Sequence, residues 1–277
     1  MPELKKYLSQ FKTETVAIAF RDLTTGRELL VRADEPFHPA STFKVAVMME
    51  VFHQAAHGIL SLDKPIPVVN TFTSIADGAS FSVYPQDDAE KSLYNKIGGE
   101  ETLREIVRLM IAHSSNLATN ILIQKVTAAR INAYLTTLGI EGVEVLRGPE
   151  DNKAFALGMN NRATARGLMQ LMAALGEGRV VPTQHCNEMI DILHGQEFNE
   201  GIPAGLPANA RAAHKTGWND QYYHDFGLVF PEERGPYALA VMTHGFTREA
   251  YAHACVAEVS RRTHAMVTGV SDRMGLL

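Results

Sequence analysis

The stretch TVAIAFRDLTTGRELLVR, Thr15 to Arg32, decides how the chain must fold. Thr15 to Leu23 alternates, Thr24 to Arg27 carries turn residues, and Glu28 to Arg32 resumes an extended pattern, so the stretch reads as a β-hairpin. A lone hairpin is not stable in water. Its partners lie near the other end of the chain, where Phe226 to Phe230 and Tyr237 to His244 read as strands. The economical arrangement is one antiparallel sheet built from both chain ends. Between them the apolar spacing is helical over 41–58, 98–113, 116–126, 128–139, 164–175 and 184–193, and a last helix closes the chain over 249–266. The fold class expected is therefore α+β. Residues 1–35 and 194–277 form a lobe with the sheet and flanking helices, and 36–193 form an inserted helical lobe, with any functional site expected between them.

Composition narrows the function. The chain has 277 residues, 45% hydrophobic and 21% charged, with a net charge of −5 and a pI of about 6.1. That is ordinary globular composition with no basic stripe, so nucleic acid is not an expected partner. No segment reaches the roughly 18 apolar residues of a membrane span. The first residues carry lysines with no apolar run behind them, which is not a signal peptide. Either the protein stays in the cytoplasm, with Met1 the natural start, or a leader has been removed and it is periplasmic or secreted. Cys186 and Cys255 are the only cysteines, and whether they pair stays open. No His/Cys cluster has metal-ligand spacing, and His53 and His57 read as packed or surface histidines. No metal or organic cofactor is expected.

Chemistry enters at PASTFKVAVMM, Pro39 to Met49. Ser41 and Lys44 are three apart, so on a helix the amine reaches the hydroxyl. A serine attacks only when a base takes its proton, and a lysine is that base only when its own proton affinity is lowered. Read singly, the pair is also an N-cap followed by a surface lysine. Ser114-Ser115-Asn116 sits between two helical patterns and is equally a helix start. Lys215-Thr216-Gly217 is either a polar strand end or a cation and a hydroxyl set to hold a carboxylate, with a glycine that admits close backbone approach. Leu146 to Asn161 has no clean period, and irregular loops of that length are usually functional.

The three motifs in the order SxxK, SxN, KTG resemble the signature set of serine β-lactamases and penicillin-binding proteins, and the chain resembles a class A β-lactamase over nearly its whole length. The resemblance implies acyl transfer through Ser41, with Lys44 as proton acceptor and Ser114 as proton relay. It implies that Asn116, Lys215, Thr216, Gly217 and Trp218 face a small substrate, a β-lactam or a peptide-like amide or ester. The backbone N–H groups of Ser41 and Trp218 would form the oxyanion hole, and Thr164 would open the helix after the loop. Glu150 is the candidate for activating the deacylating water, with Arg147 as its anchor, Asn152 nearby and Asp151 as competitor. Two departures stand out. Ser115 replaces the family's usual aspartate, which removes a structural carboxylate. Trp218 follows KTG where a small residue is usual. The rival readings are a D-alanyl-D-alanine carboxypeptidase or esterase-like relative that deacylates slowly, and a non-catalytic sensor domain that binds a β-lactam.

Overall fold

The computed structural model describes residues 2–11, 14–232 and 234–269. Met1, on which the export expectation turned, lies outside them. Strands β1 (Thr15–Asp22), β2 (Glu28–Val31), β3 (Ala210–Asn219), β4 (Tyr222–Pro231) and β5 (Tyr237–His244) form one antiparallel sheet in the order β2-β1-β5-β4-β3. The first hairpin therefore pairs with the last strand, with Ala19 opposite Ala240. Both chain ends build the sheet, as the sequence implies, and the α+β class is borne out.

Helices α1 (Pro2–Leu8) and α9 (Glu249–Thr268) bracket the chain. Those between are α2 (Lys44–Ala56), α3 (Leu103–Ala112), α4 (Asn116–Val126), α5 (Ala128–Thr137), α6 (Asn152–Ala156), α7 (Ala165–Gly176) and α8 (Thr183–His194). The sheet has two unlike faces because successive side chains point to opposite sides. One face carries Ala17, Ala19, Ala238 and Ala240 and packs on α7. The other carries Ile18, Phe20, Leu239 and Val241 and packs on α9. At these positions the first face is lined by small residues and the second by bulky ones. Cys186 and Cys255 are both free, one in each of these separate cores, so they do not pair.

Helix α2 is buried on every side from Lys44 to Phe52, as expected of a helix that is apolar all round. It is packed by α3, α4, α5 and α8. The boundary at its start differs from the sequence reading. Ala40–Phe43 is a 3₁₀ turn, and the α-helix begins only at Lys44. In a 3₁₀ turn positions i and i+3 eclipse, so Ser41 and Lys44 still share a face. Strand β3 also runs further than expected: Lys215-Thr216-Gly217 lies inside it and not ahead of it. His53 packs flat on Tyr134, with ring centroids 3.9 Å apart, and its Nδ1 meets Glu50 at 3.2 Å.

The unequal faces make a prediction. Ala240→Leu adds volume where α7 is closest and should cost about 1–3 kcal/mol, read as a lowered urea midpoint with an unchanged slope.

Candidate active site

The site starts from a buried amine. Lys44 is 0% exposed, and its Nζ donates to Ser114 O at 2.7 Å, to Asn116 Oδ1 at 2.9 Å and to Ser114 Oγ at 3.4 Å. Burial pushes this lysine down to about 7, against the opposing pull of the Asp88 and Glu150 charges. Lys215 arrives from β3, equally buried, and its Nζ donates to Ser114 Oγ at 3.0 Å and to Thr216 O at 2.9 Å. Burial, and then the neighbouring Lys44, hold Lys215 well below the usual lysine range, while Asp225 pulls it up. Ser114 Oγ thus accepts from two amines, which leaves its own proton free to point elsewhere.

Ser41 is half-buried on the 3₁₀ turn, one residue after Ala40 at φ +47°. Thr42 Oγ1 donates to Pro39 O at 2.7 Å and tightens that turn. Strand β3 lies directly against it. A Cβ on Gly217 would come within 2.8 Å of Pro39 O and 3.0 Å of Ser41 N, so only glycine lets the strand approach the serine. His38 ties the same two segments: its Nδ1 accepts from Ala40 N at 3.1 Å and from the Asn219 amide at 3.4 Å. His38 O in turn accepts from His224 Nε2 at 2.9 Å, and Thr243 N donates to the other ring nitrogen of His224 at 3.1 Å. Thr216 is buried, whereas Trp218 is 57% exposed. Under Lys215, the buried pair His214 and Asp225 meets at 2.8 Å and joins β3 to β4.

The irregular loop supplies the carboxylate. Asn116 Nδ2 donates to Glu150 Oε1 at 3.4 Å, and Glu150 stands at φ +63°. Burial, reinforced by Asp87, raises the Glu150 carboxyl, and Arg147 and Lys44 oppose the shift. The loop lies on α4 at Gly148, where a Cβ would sit 1.9 Å from Asn120 Oδ1, and Asn120 Nδ2 donates to Pro149 O at 3.0 Å. Asp151 is committed elsewhere. It accepts from Ser74 Oγ at 2.7 Å, from Ile75 N at 3.0 Å and from Ala154 N at 3.2 Å, capping α6. The guanidinium of Arg147 donates to Met159 O, Gly148 O and Asn160 Oδ1, so it anchors the loop rather than Glu150 itself. Asn152 is exposed at the start of α6. Thr164 caps α7 through Gly167 N at 3.0 Å.

One expectation needs correction. Ser115 does not leave the turn without a carboxylate, because Asp88 provides one from the loop before α3. It accepts from Asn116 N and Leu117 N, each at 2.9 Å, and from Ser115 Oγ at 3.2 Å. Nothing in the local sequence marked Asp88, which sits in a stretch without periodicity. Asn120, His38, His224 and the His214–Asp225 pair were missed for the same reason: each acts through a partner distant in sequence. Among the described residues no group of three or more His, Cys, Asp or Glu is placed to hold a metal, and no helix is long and apolar enough to cross a membrane.

A model of the "Beta-lactamase enzyme family" matches residues 1–267. The chain belongs to the β-lactamase enzyme family. It is 26% identical to a β-lactamase of Bacillus amyloliquefaciens over 87% of this chain and 75% of that protein. It is 27% identical to a β-lactamase of Streptomyces fradiae over 87% of this chain and 77% of that one. Among solved structures, PBP-A superposes with a TM-score of 0.83 at 25% identity, over 97% of this chain and 96% of that one; a structure of a PBP-A mutant is an acyl-enzyme complex with penicillin G. An ancestral class A β-lactamase has a TM-score of 0.80 over 96% of this chain and 97% of its own, at 24% identity. The class A resemblance read from the motifs is borne out, and with it a serine hydrolase of that type.

For a family member with this geometry, Gly217→Ala should fold, lose about 1–3 kcal/mol of stability through the clash at Ser41, and react more slowly at that serine. A melt and an active-site titration check both halves.

Proposed function

We propose that the protein hydrolyses a β-lactam, or a similar strained amide, through an acyl-enzyme on Ser41. The observation that carries this reading is the convergence of Lys44 and Lys215 on Ser114, with Glu150 one hydrogen bond away through Asn116. Neutral Lys44 takes the Ser41 proton, and Ser41 Oγ attacks the carbonyl carbon. The N–H groups of Ser41 and Trp218 hold the oxyanion. Ser114 passes its proton to the leaving nitrogen and is resupplied from Lys44, so the C–N bond breaks and an ester remains. Lys215 and Thr216 hold the substrate carboxylate, and Asn116 holds its side-chain amide. Glu150 then takes a proton from water, the hydroxide attacks the ester, and Ser41 leaves with its proton restored. The raised Glu150 carboxyl suits base work near neutral pH.

A second reading keeps the acylation step and slows the last one. Exposed Trp218 beside the proposed oxyanion hole favours it, since an indole there offers a broad surface to a peptide-like substrate. The acyl-enzyme of the PBP-A mutant with penicillin G supports the acylation step that both readings share. Glu150, half-buried and raised, favours turnover over a domain that acylates once and only senses.

Intact mass followed through time after adding a penicillin separates these readings. An adduct on Ser41 that forms and then vanishes as substrate is consumed is the expected result, and a persistent adduct selects the slow-deacylating relative. Ser41→Ala should give no adduct; an adduct on that variant removes the assignment. Glu150→Gln should acylate normally and hydrolyse about 10²–10⁴-fold more slowly, leaving the adduct in place. Acylation also depends on pH. The Lys44 amine must be unprotonated, and with its proton affinity near 7 the single-turnover rate should fall as pH drops through about 7. A rate flat from pH 6 to pH 8 would contradict Lys44 as the base.

A further inference from the structure

We infer that Asp88 is a positioning residue for acyl transfer: its carboxylate, brought in from the loop before α3, holds the Ser114–Asn116 turn in the role left vacant by Ser115. The inference rests on the acyl-transfer reading of Ser114 and Lys44. It starts from backbone geometry. Ser114 has φ +57°, a conformation that costs a non-glycine residue of order 1–3 kcal/mol and persists only when its surroundings enforce it. On its N-terminal side the turn is held by Ser115 N donating to Leu109 O at 3.1 Å. On its C-terminal side both oxygens of Asp88 accept from Asn116 N, and Oδ2 also accepts from Leu117 N.

Asp88 is itself held. It is 6% exposed, Tyr94 Oη donates to its Oδ2 at 3.0 Å, and Glu90 N donates to its Oδ1 at 3.2 Å. Ser115 retains a place in the arrangement. Its Oγ donates to Asp88 and accepts from Ala118 N at 3.1 Å, so serine and aspartate together satisfy the start of α4. A carboxylate at position 115 would meet the same turn from within the motif. Here the acid comes from 27 residues earlier in the chain.

The position has an electrostatic consequence. Lys44 is faced by the Asp88 and Glu150 carboxylates and by the Lys215 amine, along with the uncharged Ser114 and Asn116 oxygens. Asp88 is itself neighboured by the Tyr94 phenol and, through its backbone, by Glu90. Removing the Asp88 charge takes away one of the two anions that favour the Lys44 ammonium. Loss of that charge shifts the Lys44 titration whatever else Asp88 does, so the shift reports its proximity to Lys44, and the acylation rate of the folded variant reports its positioning role.

The test compares three proteins: wild type, Asp88→Asn, and the exchange Asp88→Ser with Ser115→Asp. Acylation by penicillin G is followed by intact mass, and the Lys44 titration by NMR of isotope-labelled lysine. Asp88→Asn should acylate about a hundredfold more slowly, as expected when reacting groups are displaced. Its Lys44 should titrate at lower pH than in wild type. The exchange should recover acylation to within about tenfold of wild type and return the Lys44 titration upward. Asp88→Asn that acylates within about twofold of wild type, or that loses stability with Lys44 unmoved, overturns the inference. So does an exchange no better than the single variant. If Asp88→Asn does not fold, the exchange decides: folded and acylating supports the inference, unfolded overturns it. A wild type that penicillin G never acylates counts against that lactam as substrate. Acylation of the same three proteins by an activated ester, read by the same intact-mass outcomes, then decides the role of Asp88.

Discussion

The Lys44 amine is fully buried and donates to Ser114 O, Ser114 Oγ and Asn116 Oδ1, and three separate parts of the fold must cooperate to leave it there. Helix α2 must be apolar on every side, so that no water reaches its first residue. The turn between α3 and α4 must present a carbonyl and an amide oxygen inward. The sheet must bring β3 alongside. An ammonium in this place would carry a large desolvation cost; a neutral amine carries much less, and its two N–H bonds serve two of its three acceptor oxygens at a time. The same burial lowers its proton affinity, which is what the proposed role as a base requires, so in that proposal packing and chemistry have one cause.

Strain collects around that amine. Ala40, Ser114 and Glu150 all adopt positive φ without being glycine, and each belongs to a different wall of the site. Ser114 and Glu150 are enforced from outside their own segments, and Ala40 by the neighbouring His38, which is itself tied to β4. His38 accepts from Ala40 N, Asp88 accepts from the backbone after Ser114, and Asn120 holds the carbonyl before Glu150. Stiff elements carry these partners: β4 and β5 fix His224 and so His38, and α4 carries Asn120. Helix α7 packs on the sheet and ends the irregular loop at its N-cap, Thr164, which accepts from Gly167 N.

Much of this was legible in sequence, for definite reasons. The hairpin at Thr15 to Arg32 and the strand at Tyr237 to His244 have the apolar pattern of buried sheet, and the helices have amphipathic or wholly apolar periodicity. Strand β3 was legible only at its edge. Its buried positions include His214, Lys215 and Thr216, whose polarity is tolerated because Asp225 and Ser114 partner His214 and Lys215. The 3₁₀ turn at Ala40–Phe43 was hidden because it runs directly into α2, and the spacing of Ser41 and Lys44 fits either kind of helix. Of the candidate site, Ser41, Lys44, Ser114, Asn116 and Lys215 were visible as candidates because their motifs are short and their spacing is fixed by local geometry. The competition between Glu150 and Asp151 was not decidable, since what separates them is Ser74, 77 residues away in the chain, donating to Asp151.

The same distinction explains the missing aspartate. A three-residue motif describes which groups share a turn, but what the turn needs is a negative oxygen at a point in space. Asn116 N and Leu117 N donate equally well to an acid from inside the motif or from a loop packed beside it. The loop can serve because Tyr94, Glu90 N and burial fix the Asp88 rotamer. Its position next to Lys44 then adds a field that any acid at that point would supply. A chain can therefore depart from the motif while retaining the charge arrangement, as long as the donor set around that point is preserved. Family membership over residues 1–267, at 26% identity to a curated relative, is what such conservation of arrangement over residue allows.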